Sequence, residues 1–104
     1  MKLTLTNSKT VGDRTLEVYK IADYEVRVVI HKEGYVNVSI NNHGGEFTPG
    51  IYCDTDIDGK ITGFSVQTTS YGALPAKEIA LVAEELKKAA EIALFLTETF
   101  ASCN

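Results

Sequence analysis

The sequence predicts an α+β fold in which an antiparallel β-sheet of five to six strands is packed by one long C-terminal α-helix. Two periodicities indicate this class. Apolar residues alternate with polar ones through the first two thirds of the chain, and they recur every three or four residues through the last third. The connections between the alternating runs are short, which favours antiparallel pairing because parallel strands need long crossovers. At 104 residues the chain has the length of one domain, residues 1–104.

The strands are expected within residues 2–68. Alternation is clearest from Tyr24 to Ile30, where every second residue is apolar and belongs to one face. The segment Asn7–Asp13 is expected to be a turn-rich connection, and Lys32–Gly34 a short hairpin loop. The six expected strands are Lys2–Thr6, Arg14–Ile21, Tyr24–His31, Tyr35–Ile40, Ile51–Cys53 and Lys60–Gln67.

The last third predicts one helix over about residues 75–101. Pro75 suits the first turn, where a missing N–H costs nothing, and Glu78 suits the positive end of the helix dipole. The residues expected to face the sheet are spaced alternately three and four apart: Ile79, Val82, Leu86, Ala89, Ala93, Leu96 and Phe100.

Three further apolar residues, Leu81, Ile92 and Phe95, lie off this stripe. A large apolar side chain left in water forfeits about 1.5–3 kcal/mol relative to burial. Either the sheet curls far enough to cover these residues or another copy of the protein does. We expect self-association, with these three residues in the interface between copies.

Composition narrows the function classes. The net charge is −4, and residues 36–59 carry four acidic side chains and no lysine or arginine. Without a basic cluster, direct nucleic-acid binding is not expected. No apolar run reaches the ~20 residues of a membrane span, and residues 1–10 do not resemble a secretion signal, so a cytoplasmic protein without a membrane role is expected. Cys53 and Cys103 lie too far apart for a zinc motif and are expected to be free thiols.

An acidic loop is the sharpest local motif. Asp54, Asp56 and Asp58, followed by Gly59, match the first half of an EF-hand loop, which would suit Ca²⁺. Ser65 stands where the bidentate glutamate of that loop is required, and the flanking residues alternate as strands do. A hairpin turn is therefore the leading interpretation and a Ca²⁺-binding module an alternative. A second alternative is an acidic inhibitor that mimics nucleic acid, using these aspartates with Glu46.

Polar residues at two further places are candidates for contacting a ligand or partner. One is the loop that follows the fourth strand, and the other is the junction before the helix, where free N–H groups attract anions. No paired nucleophile and base stand in the sequence, so neither an enzyme nor a cofactor is expected. A small phosphate-bearing ligand would suit the second place. The candidate contact residues are Arg27, Asn42, His43, Thr69, Ser70 and Tyr71.

From Gly63–Val66 through Ser70–Pro75 and into the helix, the chain resembles small uncharacterised accessory proteins of phages, prophages and other mobile elements of Gram-positive bacteria. The resemblance implies a compact, self-associating protein that binds or inhibits a host component, and it assigns a role to no particular residue. Together these observations predict a small, non-catalytic, oligomeric binding protein that inhibits a host protein or sequesters a small ligand.

Overall fold

A computed structural model of the chain describes residues 1–68 and 72–101. Those ranges contain six strands and one helix, so the predicted α+β class is confirmed. The chain divides into two compact units, residues 1–43 and 44–104. The elements are β1 (Thr4–Val11), β2 (Arg14–Ile21), β3 (Tyr24–His31), β4 (Val36–Asn42), β5 (Gly50–Thr55), β6 (Ile61–Gln67) and α1 (Ala76–Phe100).

The six strands form two sheets, so the prediction of a single sheet was wrong. β1 to β4 make a four-stranded antiparallel sheet in chain order, whereas β5 and β6 pair only with each other. The break follows β4, where the segment 43–49 contains two glycines and a proline. These residues favour a loop over continued strand pairing.

In the first unit, the predicted alternation of β3 is confirmed. Tyr24, Val26 and Val28 are buried, and Arg27 between them is exposed. Ile21 of β2 is paired with Tyr24 and is also buried. The period-two pattern therefore assigns the two faces of β3 correctly. In β2 it does not, because Val18, which is paired with Arg27 on the opposite face, is buried as well.

β1 is longer than predicted. It continues through Val11, with a bulge between Leu5 and Asn7, and turns into β2 through Gly12 and Asp13. All eight residues of β1 are exposed at the edge of the sheet, which explains why its Ser, Thr and Asn residues are compatible with a strand. Gly12 has φ +63°, a conformation that glycine adopts without steric cost.

In the second unit, α1 packs against the β5–β6 hairpin, mainly on β6. Glu78 lies in the first turn, as predicted, whereas Pro75 is the N-cap residue just before the helix and not part of its first turn. The helix residues Ala89, Ile92, Ala93 and Leu96 are buried, as are Ile51 of β5 and Ile61 of β6.

The predicted apolar stripe of α1 is correct along its C-terminal half and incorrect at its start. Ala89, Ala93 and Leu96 are buried, whereas Ile79 in the first turns is 53% exposed. The helix thus extends beyond the surface of the two short strands that it packs on. No helix within residues 1–68 and 72–101 has the length and hydrophobicity needed to cross a membrane.

Candidate functional site

The carboxylate of Glu25 is the centre of a polar cluster on the four-stranded sheet. Its Oε2 atom accepts a hydrogen bond from Arg27 Nε at 3.0 Å and one from Asn41 Nδ2 at 3.3 Å. His43 Nε2 lies 3.6 Å from the same oxygen. We call Glu25, Arg27, Asn41 and His43 the Glu25 cluster.

Strand register explains how the cluster forms. Glu25 and Arg27 are two residues apart on β3 and therefore lie on the same face. Asn41 of β4 is directly opposite Glu25 in the antiparallel pairing. His43 follows β4, and its backbone N–H donates a hydrogen bond of 2.8 Å to the carbonyl oxygen of Asp23. That bond holds His43 beside the β2–β3 turn.

The cluster holds Glu25 in its ionised form. The amide of Asn41 is the largest influence, and it lowers the pKa of the Glu25 carboxyl below its ordinary value of 4.5. Partial burial acts in the opposite direction, and the contacts with Arg27 and His43 lower the pKa further. Glu25 is thus a fixed negative charge at neutral pH.

A cavity of about 240 Å³ adjoins the cluster at the β2–β3 end of the sheet. It combines hydroxyl, aromatic and charged groups of both signs. We call it the Glu25 cavity, and its lining residues are Thr6, Tyr19, Lys20, Ala22, Asp23, Tyr24, Glu25 and His43.

The turn that borders this cavity has an unusual backbone. β2 and β3 are joined by only Ala22 and Asp23, because Ile21 and Tyr24 are already paired. Ala22 has φ +51° and is the one non-glycine residue in the described ranges with a positive φ. A side chain at such a φ costs about 1–2 kcal/mol, and strained residues of this kind cluster at functional sites.

Of the three predicted contact residues that lie in residues 1–68 and 72–101, the structure brings two to the same carboxylate. Arg27 and His43 both contact Glu25. Asn42 is opposite Tyr24, on the other face of the sheet from Asn41. Glu25 and Asn41, which the short β3–β4 loop of residues 32–35 places opposite each other, were not among the predicted contact residues. The predicted residues Thr69, Ser70 and Tyr71 lie outside the described residues, as does Cys103.

At the other end of the sheet, the rings of His31 and Tyr35 are stacked, with centroids 3.9 Å apart. The pair closes the β3–β4 loop, where the N–H of His31 donates to the carbonyl oxygen of Tyr35 at 3.0 Å. Asn37 Nδ2 lies 3.3 Å from His31 Nε2. These contacts explain the loop's geometry without a ligand.

The acidic loop forms a hairpin turn. Asp56 Oδ1 accepts hydrogen bonds of 2.9 Å from the backbone N–H groups of Asp58 and Lys60. Asp54 Oδ1 accepts one of 3.1 Å from the hydroxyl of Ser65. Gly59 has φ +82°, which suits the turn.

The alternative Ca²⁺ site at Asp54, Asp56 and Asp58 is not assembled. Nowhere in residues 1–68 and 72–101 do three His, Cys, Asp or Glu residues converge as a metal site. Two of the three aspartates are already engaged by hydrogen bonds within the hairpin. With Ile57 fully exposed at the tip, the loop has the character of a solvated turn.

The residues predicted to form an interface between copies differ in exposure. Ile92 is buried within the chain at 3% exposure, and Phe95 is half-buried. Leu81 is 53% exposed, and Leu94, which was not singled out, is 61% exposed. Ile92 is therefore a core residue in this unit and is unavailable on the helix surface.

Comparison with protein-family models, with curated proteins and with solved structures found no match to this chain.

Proposed function

We propose that this protein is a non-catalytic binding protein that recognises a partner protein through the Glu25 cluster and the adjoining Glu25 cavity. The main support is that side-chain nitrogen atoms of Arg27, Asn41 and His43 all lie 3.0–3.6 Å from Glu25 Oε2. Such a cluster needs little rearrangement on binding, because its side chains already restrain one another.

The size of the cavity favours a protein partner over a free small molecule. Pockets for small molecules commonly measure about 300–1,000 Å³. The Glu25 cavity, at about 240 Å³, is below that range and has room for one side chain of a partner. An interface that inserts one side chain into such a cavity has a natural anchor point.

The residue types also favour recognition over catalysis. Tyrosine and arginine are enriched at protein interfaces, and Tyr19 lines the cavity while Arg27 adjoins it. Covalent catalysis by His43 would require a nucleophile beside it. The aliphatic hydroxyl that lines the cavity, that of Thr6, donates its hydrogen bond of 3.0 Å to the carbonyl oxygen of Val18 and not to His43. On the resemblance to mobile-element accessory proteins, the partner would be a component of the host cell.

The proposal includes self-association. It is supported by Leu81 and Leu94, which α1 presents to solvent at more than half exposure. Water contact with large apolar side chains is unfavourable, and a second copy would remove it.

Selection from a random linear-peptide display library tests the recognition site. Peptides enriched on the immobilised protein should bind Glu25→Gln at least tenfold more weakly, because the amide cannot hold Arg27 as an ion pair. Glu33→Gln is the matched control, since Glu33 is exposed in the β3–β4 loop, away from the cluster. Peptides that bind all three proteins equally would contradict the proposal, provided circular dichroism shows that each variant is folded.

A further inference from the structure

We infer that the Glu25 cavity is selective for a cationic side chain of the partner, a guanidinium or an ammonium group. This inference rests on the proposed function and adds the chemistry of the group that enters the cavity. It is supported by the two acidic residues among those that line the cavity, Asp23 and Glu25, and by how each carboxylate is used within the chain.

Glu25 presents a fixed acceptor. Arg27 and Asn41 donate hydrogen bonds to Oε2, and His43 Nε2 lies 3.6 Å from the same oxygen. Within residues 1–68 and 72–101 no hydrogen bond or ion pair engages Oε1. The side chain is only 25% exposed, so its carboxylate is restrained from two directions, by packing and by its donors. A carboxylate oxygen accepts and cannot donate when ionised, so the complementary group is a donor.

Asp23 supplies the second acceptor. Its backbone carbonyl binds the N–H of His43, which fixes the position of the turn. Its carboxylate has no hydrogen bond or ion pair with any described residue, and the residue is exposed at the cavity. A planar guanidinium that offers several N–H groups can satisfy two separate acceptors at once.

The cationic groups nearby do not reverse this preference. Arg27 is already paired with Glu25 at 3.0 Å, and His43 faces the same oxygen. Lys20 is exposed, and its long stem lets the ammonium group turn into water.

The experiment uses single-residue probes that match the volume of the cavity. N-acetyl-L-arginine amide, the lysine analogue and the glutamate analogue are titrated at tens of millimolar into the ¹⁵N-labelled full chain. Amide shifts are followed by NMR. The arginine and lysine probes should shift the amides of Asp23, Glu25 and His43, and the glutamate probe should leave them unchanged.

A matched pair of variants makes the assignment specific. Asp23→Asn should weaken arginine binding by about two- to fivefold, the range that one exposed ion pair supplies. Asp13→Asn should not, because Asp13 occupies the equivalent place in the β1–β2 turn and does not line this cavity.

The outcomes separate the two proposals. Selective binding of the glutamate probe would overturn the preference for a cation while keeping the cavity as a recognition site. If no probe shifts the cavity amides, or if Asp13→Asn has the same effect as Asp23→Asn, the inference is wrong, and the peptide selection decides the proposed function independently.

Discussion

Thr97 joins the helix to the hairpin, and its hydroxyl is the best single target for testing how the second unit is held together. Its Oγ1 accepts a hydrogen bond of 3.0 Å from the backbone N–H of Phe64 in β6 and donates one of 2.8 Å to the carbonyl oxygen of Ala93. Within the described residues β6 pairs with β5 alone, and the acceptor of the Phe64 N–H is this hydroxyl of the helix.

Thr97→Val removes the hydroxyl with little change in shape. The Ala93 carbonyl keeps its helical hydrogen bond, whereas the Phe64 N–H loses its acceptor at a partly buried site. Leaving such a donor unsatisfied costs about 1–3 kcal/mol. Because water can reach part of this site, we expect a loss of about 1–2 kcal/mol in the free energy of unfolding.

Urea unfolding measured by circular dichroism gives that free energy, and amide hydrogen exchange reports on Phe64 directly. Thr99→Val is the matched control, since Thr99 Oγ1 makes the same bond to the carbonyl four residues back, at 2.8 Å, but is exposed and touches no strand. It should change stability by no more than about 0.5 kcal/mol. Equal effects of the two variants, or unchanged exchange at Phe64, would refute the reasoning.

Three further predictions follow from the first unit and the helix surface. Ala22→Gly should raise the free energy of unfolding by about 0.5–1 kcal/mol in urea titrations, because glycine adopts a positive φ without strain. As a control, Ala80→Gly at an exposed position of the helix should lower the free energy of unfolding by about 1 kcal/mol. A lower free energy of unfolding for Ala22→Gly would contradict the strain at Ala22. Since the folded-state pKa of Glu25 is lowered, its stabilisation is present above the unfolded-state pKa and is lost as pH falls through the folded value. The stability difference between wild type and Glu25→Gln should therefore shrink below about pH 4.5 in urea titrations across pH, and a pH-independent difference would count against the cluster. Leu81→Lys should shift the sedimentation velocity profile towards monomer. A wild-type chain that already sediments as an 11.3 kDa monomer would contradict the proposed self-association.

The sequence predicts the elements of this fold better than their grouping. Period-two alternation finds β3 and β4 because the more buried residues of each strand, Tyr24, Val26 and Val28 in β3 and the half-buried Val36, Val38 and Ile40 in β4, lie on one face. In β2 the burial does not alternate, since Val18 and Ile21 are buried on opposite faces. Alternation underestimates β1, whose eight residues are all exposed and therefore carry no alternating pattern of burial. It also cannot show that β5 and β6 form a separate sheet, because alternation specifies faces and leaves the pairing partner open.

For the helix too, the sequence predicts the burial of some residues but not of others. The spacing of its apolar residues correctly identifies Ala89, Ala93 and Leu96 as buried. Whether Ile92 is covered depends on how widely the hairpin surrounds the helix, which is a tertiary property. Its burial at 3% shows that the buried sector of the C-terminal half is wider than the stripe.

Three members of the Glu25 cluster could have been predicted from the sequence, whereas the fourth, His43, could not. The short loop of residues 32–35 between β3 and β4 fixes the register, and that register places Glu25 opposite Asn41, with Arg27 on the same face as Glu25. His43 lies beyond the end of β4, so no strand periodicity applies to it. Its position depends on one backbone hydrogen bond to Asp23, in a turn whose geometry Ala22 sustains with a positive φ. A site completed by a turn of two residues is therefore sensitive to that turn, and substitutions at Ala22 should alter binding at the cavity more than their effect on stability implies.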